Sequence, residues 1–99
     1  MAETRGRRIL WVDGSDPVHL LKLPGDYTGP VMGFSGDRPA VFYLLPGSGR
    51  LAHVCSPPHR FTEEANGTLT IRESILSRWE DPEPQSWHGY LTGGIWTEC

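Results

Sequence analysis

Residues 87–96 read Trp-His-Gly-Tyr-Leu-Thr-Gly-Gly-Ile-Trp, a run that leaves the backbone few choices other than a β-hairpin. Tyr90-Leu91-Thr92 and Ile95-Trp96 flank Gly93-Gly94. A two-residue Gly-Gly loop supplies the positive φ angles of a type I′ turn, whose twist matches that of the strands it joins. Aromatic and β-branched residues on both arms favour a pleated, half-buried ribbon. Such a ribbon holds His88 at a fixed place near the start of its first arm. Ser74 lies 14 residues upstream, and whether these two side chains meet decides what chemistry is open to the chain.

The remainder punctuates into short strands. Residues 8–12 read as a first strand, stopped by Asp13-Gly14-Ser15-Asp16-Pro17, and residues 18–23 as a second. Residues 24–30 read as an ordered loop, residues 31–34 as a short strand and Ser35-Gly36-Asp37-Arg38-Pro39 as a turn. The most apolar run, residues 40–45, belongs at the centre of a sheet, because six residues without a charge are best covered on both faces. Pro46-Gly47-Ser48-Gly49 turns it into a partner at residues 50–55, which Ser56-Pro57-Pro58 ends. An edge strand at 59–62, a turn at 63–67 and a strand at 68–71 follow. Residues 72–79 fit either a helical turn or an extended piece, and residues 81–85 form an exposed loop tip. The expected fold is mainly β: a small antiparallel β-sandwich or curled half-barrel with a C-terminal β-hairpin. At 99 residues it is one domain over 1–99. Residues 1–7 are expected as a flexible arm.

Composition narrows the function classes. The net charge is −3 and Arg5, Arg7 and Arg8 form the only basic cluster, which argues against nucleic acid as a partner. No apolar run approaches the roughly 20 residues that span a bilayer, and the N-terminus lacks the apolar segment of a signal peptide, so no membrane partner is expected. Two cysteines, Cys55 and Cys99, cannot form a disulfide framework. Free thiols point to a reducing, cytoplasmic setting.

A nucleophilic hydroxyl needs a base within hydrogen-bond reach, and Ser74 with His88 is the candidate pair. The alternative is that Ser74 satisfies a nearby backbone group and His88 is a partly buried ring. Glu63, Glu64 and Glu98 lie on segments able to approach the hairpin; Glu64 is the candidate carboxylate to orient His88, and a Ser-His dyad oriented by a backbone carbonyl would also serve. A second constellation, His53, Cys55, His59, His88 and Cys99, contains only zinc-ligating types. It lacks a closely spaced thiolate pair, so no tetrahedral site, no metal and no cofactor are expected. Gly47-Ser48-Gly49 lacks the lysine of a phosphate loop and reads as a turn.

Residues 67–76, Gly-Thr-Leu-Thr-Ile-Arg-Glu-Ser-Ile-Leu, followed after a loop by residues 87–96, resemble the signature of a family of small bacterial and phage proteins. The family includes the serine-peptidase-like component of bacterial ubiquitin-like (Bub) conjugation operons. The match is mainly in the C-terminal third. The resemblance implies a serine-peptidase activity with Ser74 as the motif serine and His88 as the motif histidine, and the leading expectation is a hydrolase acting on a protein or peptide substrate at a peptide or ester bond at its tail. Glu73 stands where the family usually has proline, and the cysteine-rich strand of relatives is reduced here to Cys55-Ser56-Pro57-Pro58-His59. The competing expectation is a non-catalytic accessory protein, either a virion component or a binder of a host protein.

Overall fold

A computed structural model describes residues 3–34 and 36–99. Met1 and Ala2 of the expected arm, and Ser35 of the expected turn, lie outside the described residues. The strands are β1 (Glu3–Arg5), β2 (Arg8–Ile9), β3 (Tyr27–Thr28), β4 (Val31–Gly33), β5 (Gly36–Leu44), β6 (Leu51–Cys55), β7 (Arg60–Glu63), β8 (Leu69–Trp79), β9 (Gln85–Thr92) and β10 (Ile95–Glu98), with one helical turn, α1 (Pro17–Leu20), between β2 and β3. They form two sheets. The first runs β1-β10-β9-β8-β7, antiparallel throughout. The second is a curled sheet in the order β2-β3-β5-β4, with β6 also paired to β5.

The C-terminal hairpin forms as its residues require. Gly93 and Gly94 have φ of 55° and 78°, the two positive values of a type I′ turn, and Trp96 pairs with Leu91. The run at 40–45 is central. Val41, Tyr43 and Leu45 pack with Leu69, Ile71, Ile75, Trp87, Leu91 and Trp96 to make the core between the sheets. On the other face of β5, Ala40 and Phe42 join Leu21, Val31 and Cys55 in a second cluster. Burial pushes the Tyr43 phenol up to about 12, against the opposing hydrogen bond to Ser77, so it packs as a neutral ring.

Trp96 joins the sheets. Its ring meets Tyr43 at 5.1 Å and Trp87 at 5.7 Å, and its indole N–H donates to the buried Gly25 carbonyl at 2.8 Å. The chain crosses from β1 to β2 through Gly6 at this junction. A Cβ on Gly6 would lie 2.6 Å from the Gly25 oxygen and 2.9 Å from Trp96 Nε1, so only glycine fits.

Three expectations are corrected and one open alternative is resolved. Residues 18–23 do not form a strand: the Asp16 carboxylate accepts from Val18 N–H at 3.0 Å and Pro17 occupies the first helical position, a start signal that nucleates a helical turn instead. The start of the chain is not a free arm from Glu3 onward, because Glu3, Thr4 and Arg5 pair with Thr97, Trp96 and Ile95. The ambiguity at 72–79 resolves as strand, and β5 begins already at Gly36, inside the expected turn.

Asp26, read from sequence as an ordinary loop residue, is 1% exposed. It accepts from Arg7 Nε at 2.8 Å and Nη2 at 2.9 Å, and from the backbone N–H groups of Lys22 and Leu23. Burial would raise its pKa, but the Arg7 hydrogen bonds, the two backbone donors and the Arg7 charge together hold it below the ordinary carboxylate range. A depressed native pKa contributes stability that is fully present above the unfolded value and lost as pH falls through the folded one. Two outcomes are expected. Asp26→Asn lowers stability at neutral pH by about 2 kcal/mol and flattens the loss of stability seen in acid, checked by urea unfolding at a series of pH values. Trp96→Phe, which leaves the Gly25 carbonyl buried without its donor, costs about 1–3 kcal/mol in the same assay.

Candidate active site

The hairpin and a bulge in its neighbour set the positions of Ser74 and His88. On β9, Trp87, Gly89 and Leu91 are buried while His88 and Tyr90 are exposed, the alternation of a strand with one covered face. On β8, Ile71 pairs with Leu91, but the next paired residue, Ile75, lies opposite Gly89. Arg72, Glu73 and Ser74 therefore face the single residue Tyr90, three against one. Glu73 takes the left-handed conformation, φ 67°, which is uncommon for a residue with a side chain. Bulges of this kind re-aim side chains and recur next to active sites.

The bulge brings Ser74 to the position just before Ile75, while His88 pairs with Leu76 just after it. By residue count Ser74 is thus diagonal to His88 across the β8–β9 ladder, two positions before its partner Leu76. No described residue hydrogen-bonds the Ser74 hydroxyl or the His88 ring. The backbone of His88 is held, its carbonyl accepting from Cys99 N–H at 2.8 Å.

Another imidazole contacts the serine. His59, weighed from sequence only as a zinc ligand, places Nε2 3.0 Å from the Ser74 carbonyl oxygen. A carbonyl only accepts, so Nε2 carries the proton. Nδ1 is buried and has no hydrogen-bond partner among the described residues. The turn that follows Cys55, closed by His59 N–H on the Cys55 carbonyl at 3.0 Å, delivers this ring to the β7–β8 edge. The Pro57-Pro58-His59 run was the available signal for such a turn.

Glu64 does not stand behind His88. Its carboxylate accepts from Thr70 Oγ1, and that oxygen accepts from Gly93 N–H at 2.8 Å. It thereby ties the hairpin tip to β8. Gly93 is five residues from His88 along the chain, roughly 17 Å in extended backbone, so Glu64 is a brace for the tip and not the orienting carboxylate. Glu63 is engaged by Arg8, whose hydrogen bonds hold its pKa down and link β7 to β2. Beside the bulge, Arg60, Glu64, Thr70, Arg72, Glu73 and Tyr90 line an open depression of ≈ 390 Å³. Arg60 reaches Glu73 there at 3.2 Å.

The zinc-ligating types are scattered. His53 is exposed beside Phe34 and Phe42, Cys55 is buried, Cys99 is exposed, and among the described residues no three His, Cys, Asp or Glu side chains are grouped to hold a metal ion. No helix among the described residues is long and apolar enough to cross a membrane. No family model matches this chain, and no curated protein or solved structure matches it significantly.

Left-handed backbone at Glu73 is a local cost that glycine does not bear. Glu73→Gly is expected to raise stability by up to about 1 kcal/mol in chemical denaturation, since the exposed ion pair it removes contributes little.

Proposed function

We propose that the chain is a serine-hydrolase-like domain that cleaves a peptide or ester bond at the tail of a protein substrate. The observation that carries this reading is the bulge, which follows left-handed Glu73 with Ser74 and brings that serine diagonal to His88. The likeness of residues 67–76 and 87–96 to the peptidase-like component of Bub operons supports the same pair. In this reaction Ser74 Oγ attacks the scissile carbonyl while His88 takes its proton. The imidazolium then protonates the leaving group, and water, activated by the same ring, releases the acyl chain from Ser74. Unbonded resting geometry is compatible with this, because catalytic hydrogen bonds often tighten only with substrate bound. The depression beside the bulge, with Arg60 and Arg72 on its rim, offers the substrate tail a place to lie. The partner is a protein rather than nucleic acid or a membrane, in keeping with the net charge of −3, and the setting is the cytoplasm, in keeping with two free thiols.

A second reading is a non-catalytic phage or bacterial accessory protein, a virion component or a binder of a host protein. It is favoured by the outer face of the curled sheet, where Phe34 is 55% exposed against Phe42 and His53. Labelling with a fluorophosphonate separates the two. The hydrolase reading expects a covalent adduct on Ser74 that is absent from Ser74→Ala and strongly reduced in His88→Ala, with unfolding midpoints nearly unchanged. A folded wild-type chain that takes no label at Ser74 supports the accessory reading instead.

A further inference from the structure

Among the described strands the sheets end in edges of different character. β1 carries Glu3 and Arg5, and β7 carries Arg60 and Glu63. β2 has two residues, while β4 has three and a register shift against β5. Charge, shortness and irregularity are the devices that keep a strand from pairing with another chain. β6 has none of them. It is five residues long, Leu-Ala-His-Val-Cys, and pairs with β5 in unbroken register.

The register states which groups of β6 remain open. Leu45 N–H donates to the Arg50 carbonyl at 2.8 Å and Ser56 N–H to the Pro39 carbonyl at 3.0 Å. Hydrogen-bonded pairs alternate along an antiparallel ladder, so between these two the bonded pairs are Tyr43 with Ala52 and Val41 with Val54. The amides and carbonyls of Leu51, His53 and Cys55 therefore point away from β5. Of these, only the Cys55 carbonyl meets another described group, the His59 N–H.

We propose that β6 pairs with β6 of a second copy of this chain, antiparallel and centred on His53. A two-fold axis there sets His53 opposite His53 of the second copy and Leu51 opposite Cys55. Outward donors then meet outward acceptors, with the Cys55 carbonyl accepting a second hydrogen bond beside the one from His59 N–H, because 51, 53 and 55 are symmetric about 53 and share one phase of the ladder. That self-matching is the property an isologous interface needs. The side chains agree. Leu51 is 41% exposed, and Phe34 lies edge-on to the His53 ring at 4.9 Å. Pairing sets two such aromatic groups on either side of the axis, so apolar contacts add to the ladder hydrogen bonds.

The test is mass in solution across a wide concentration range, by light scattering or sedimentation. The wild-type chain is expected to approach twice 11.1 kDa as concentration rises. His53→Pro removes an N–H that serves only the outer edge, so it should abolish the dimer while the unfolding midpoint stays close to wild type. His53→Lys provides a second variant that keeps the backbone intact and should also be monomeric. In a Cys99→Ser background, His53→Cys should form a disulfide-linked dimer on oxidation, since paired residues of this type sit about 5.5 Å apart at Cα, within disulfide range. A wild-type chain that stays monomeric throughout, leaving the edge to some other strand, overturns the proposal. So does a dimer that persists in both the proline and the lysine variants.

Discussion

An indole hydrogen bond ties the two sheets where the chain crosses between them. Trp96 reaches from β10 to the Gly25 carbonyl just before β3, and the crossing from one sheet to the other at Gly6 passes directly beside it. Backbone bonds lock the same junction, with Gly6 N–H on the Gly94 carbonyl and Gly25 N–H on the Leu44 carbonyl. The rings of Tyr27, Tyr43 and Trp87 pack against that of Trp96. Without this donor a carbonyl would be buried unpaired, and without glycine at position 6 the chain could not pass.

That junction also fixes the hairpin from which the candidate site is built. With Trp96 held in the core, β10 and β9 are held in register, and His88 must lie on the exposed face. The hairpin tip is braced from the other side by Thr70, which links Gly93 N–H to the Glu64 carboxylate. Between braced tip and buried Ile75, β8 has more residues than its partner can match, and the surplus is the bulge that carries Glu73 and Ser74. The relation between serine and histidine is therefore set by sheet register, not by a hydrogen bond between them.

Much of the fold was legible where one signal dominated. Gly93-Gly94 between aromatic arms, the uncharged run at 40–45 and the turn at 46–49 all appear as read. Reading failed where two signals competed. Val18, Leu20 and Leu23 look like a strand, but the Asp16-Pro17 start signal lies immediately before them and wins locally. Arg5, Arg7 and Arg8 look like a solvated cluster, yet Arg7 is recruited by a buried carboxylate 19 residues away and Arg8 by Glu63. At the site, the diagonal placement of Ser74 and His88 depends on a bulge whose size no local pattern states. Glu64 and His59 exchanged significance for the same reason, because long-range pairing decides which side chains each strand end meets.

The central claim is that the bulge aligns Ser74 with His88 on the outer face of the β8–β9 ladder. Proton–proton contacts measured by NMR on the isotope-labelled chain test it most directly. The proposed alignment predicts cross-peaks from the Ser74 β-protons to the His88 ring or Tyr90, with the Ile75 α-proton facing Gly89 as the register has it. Cross-peaks placing Ser74 opposite Thr92, or among the core side chains of Ile71 and Leu91, would mean a different register and would contradict the account.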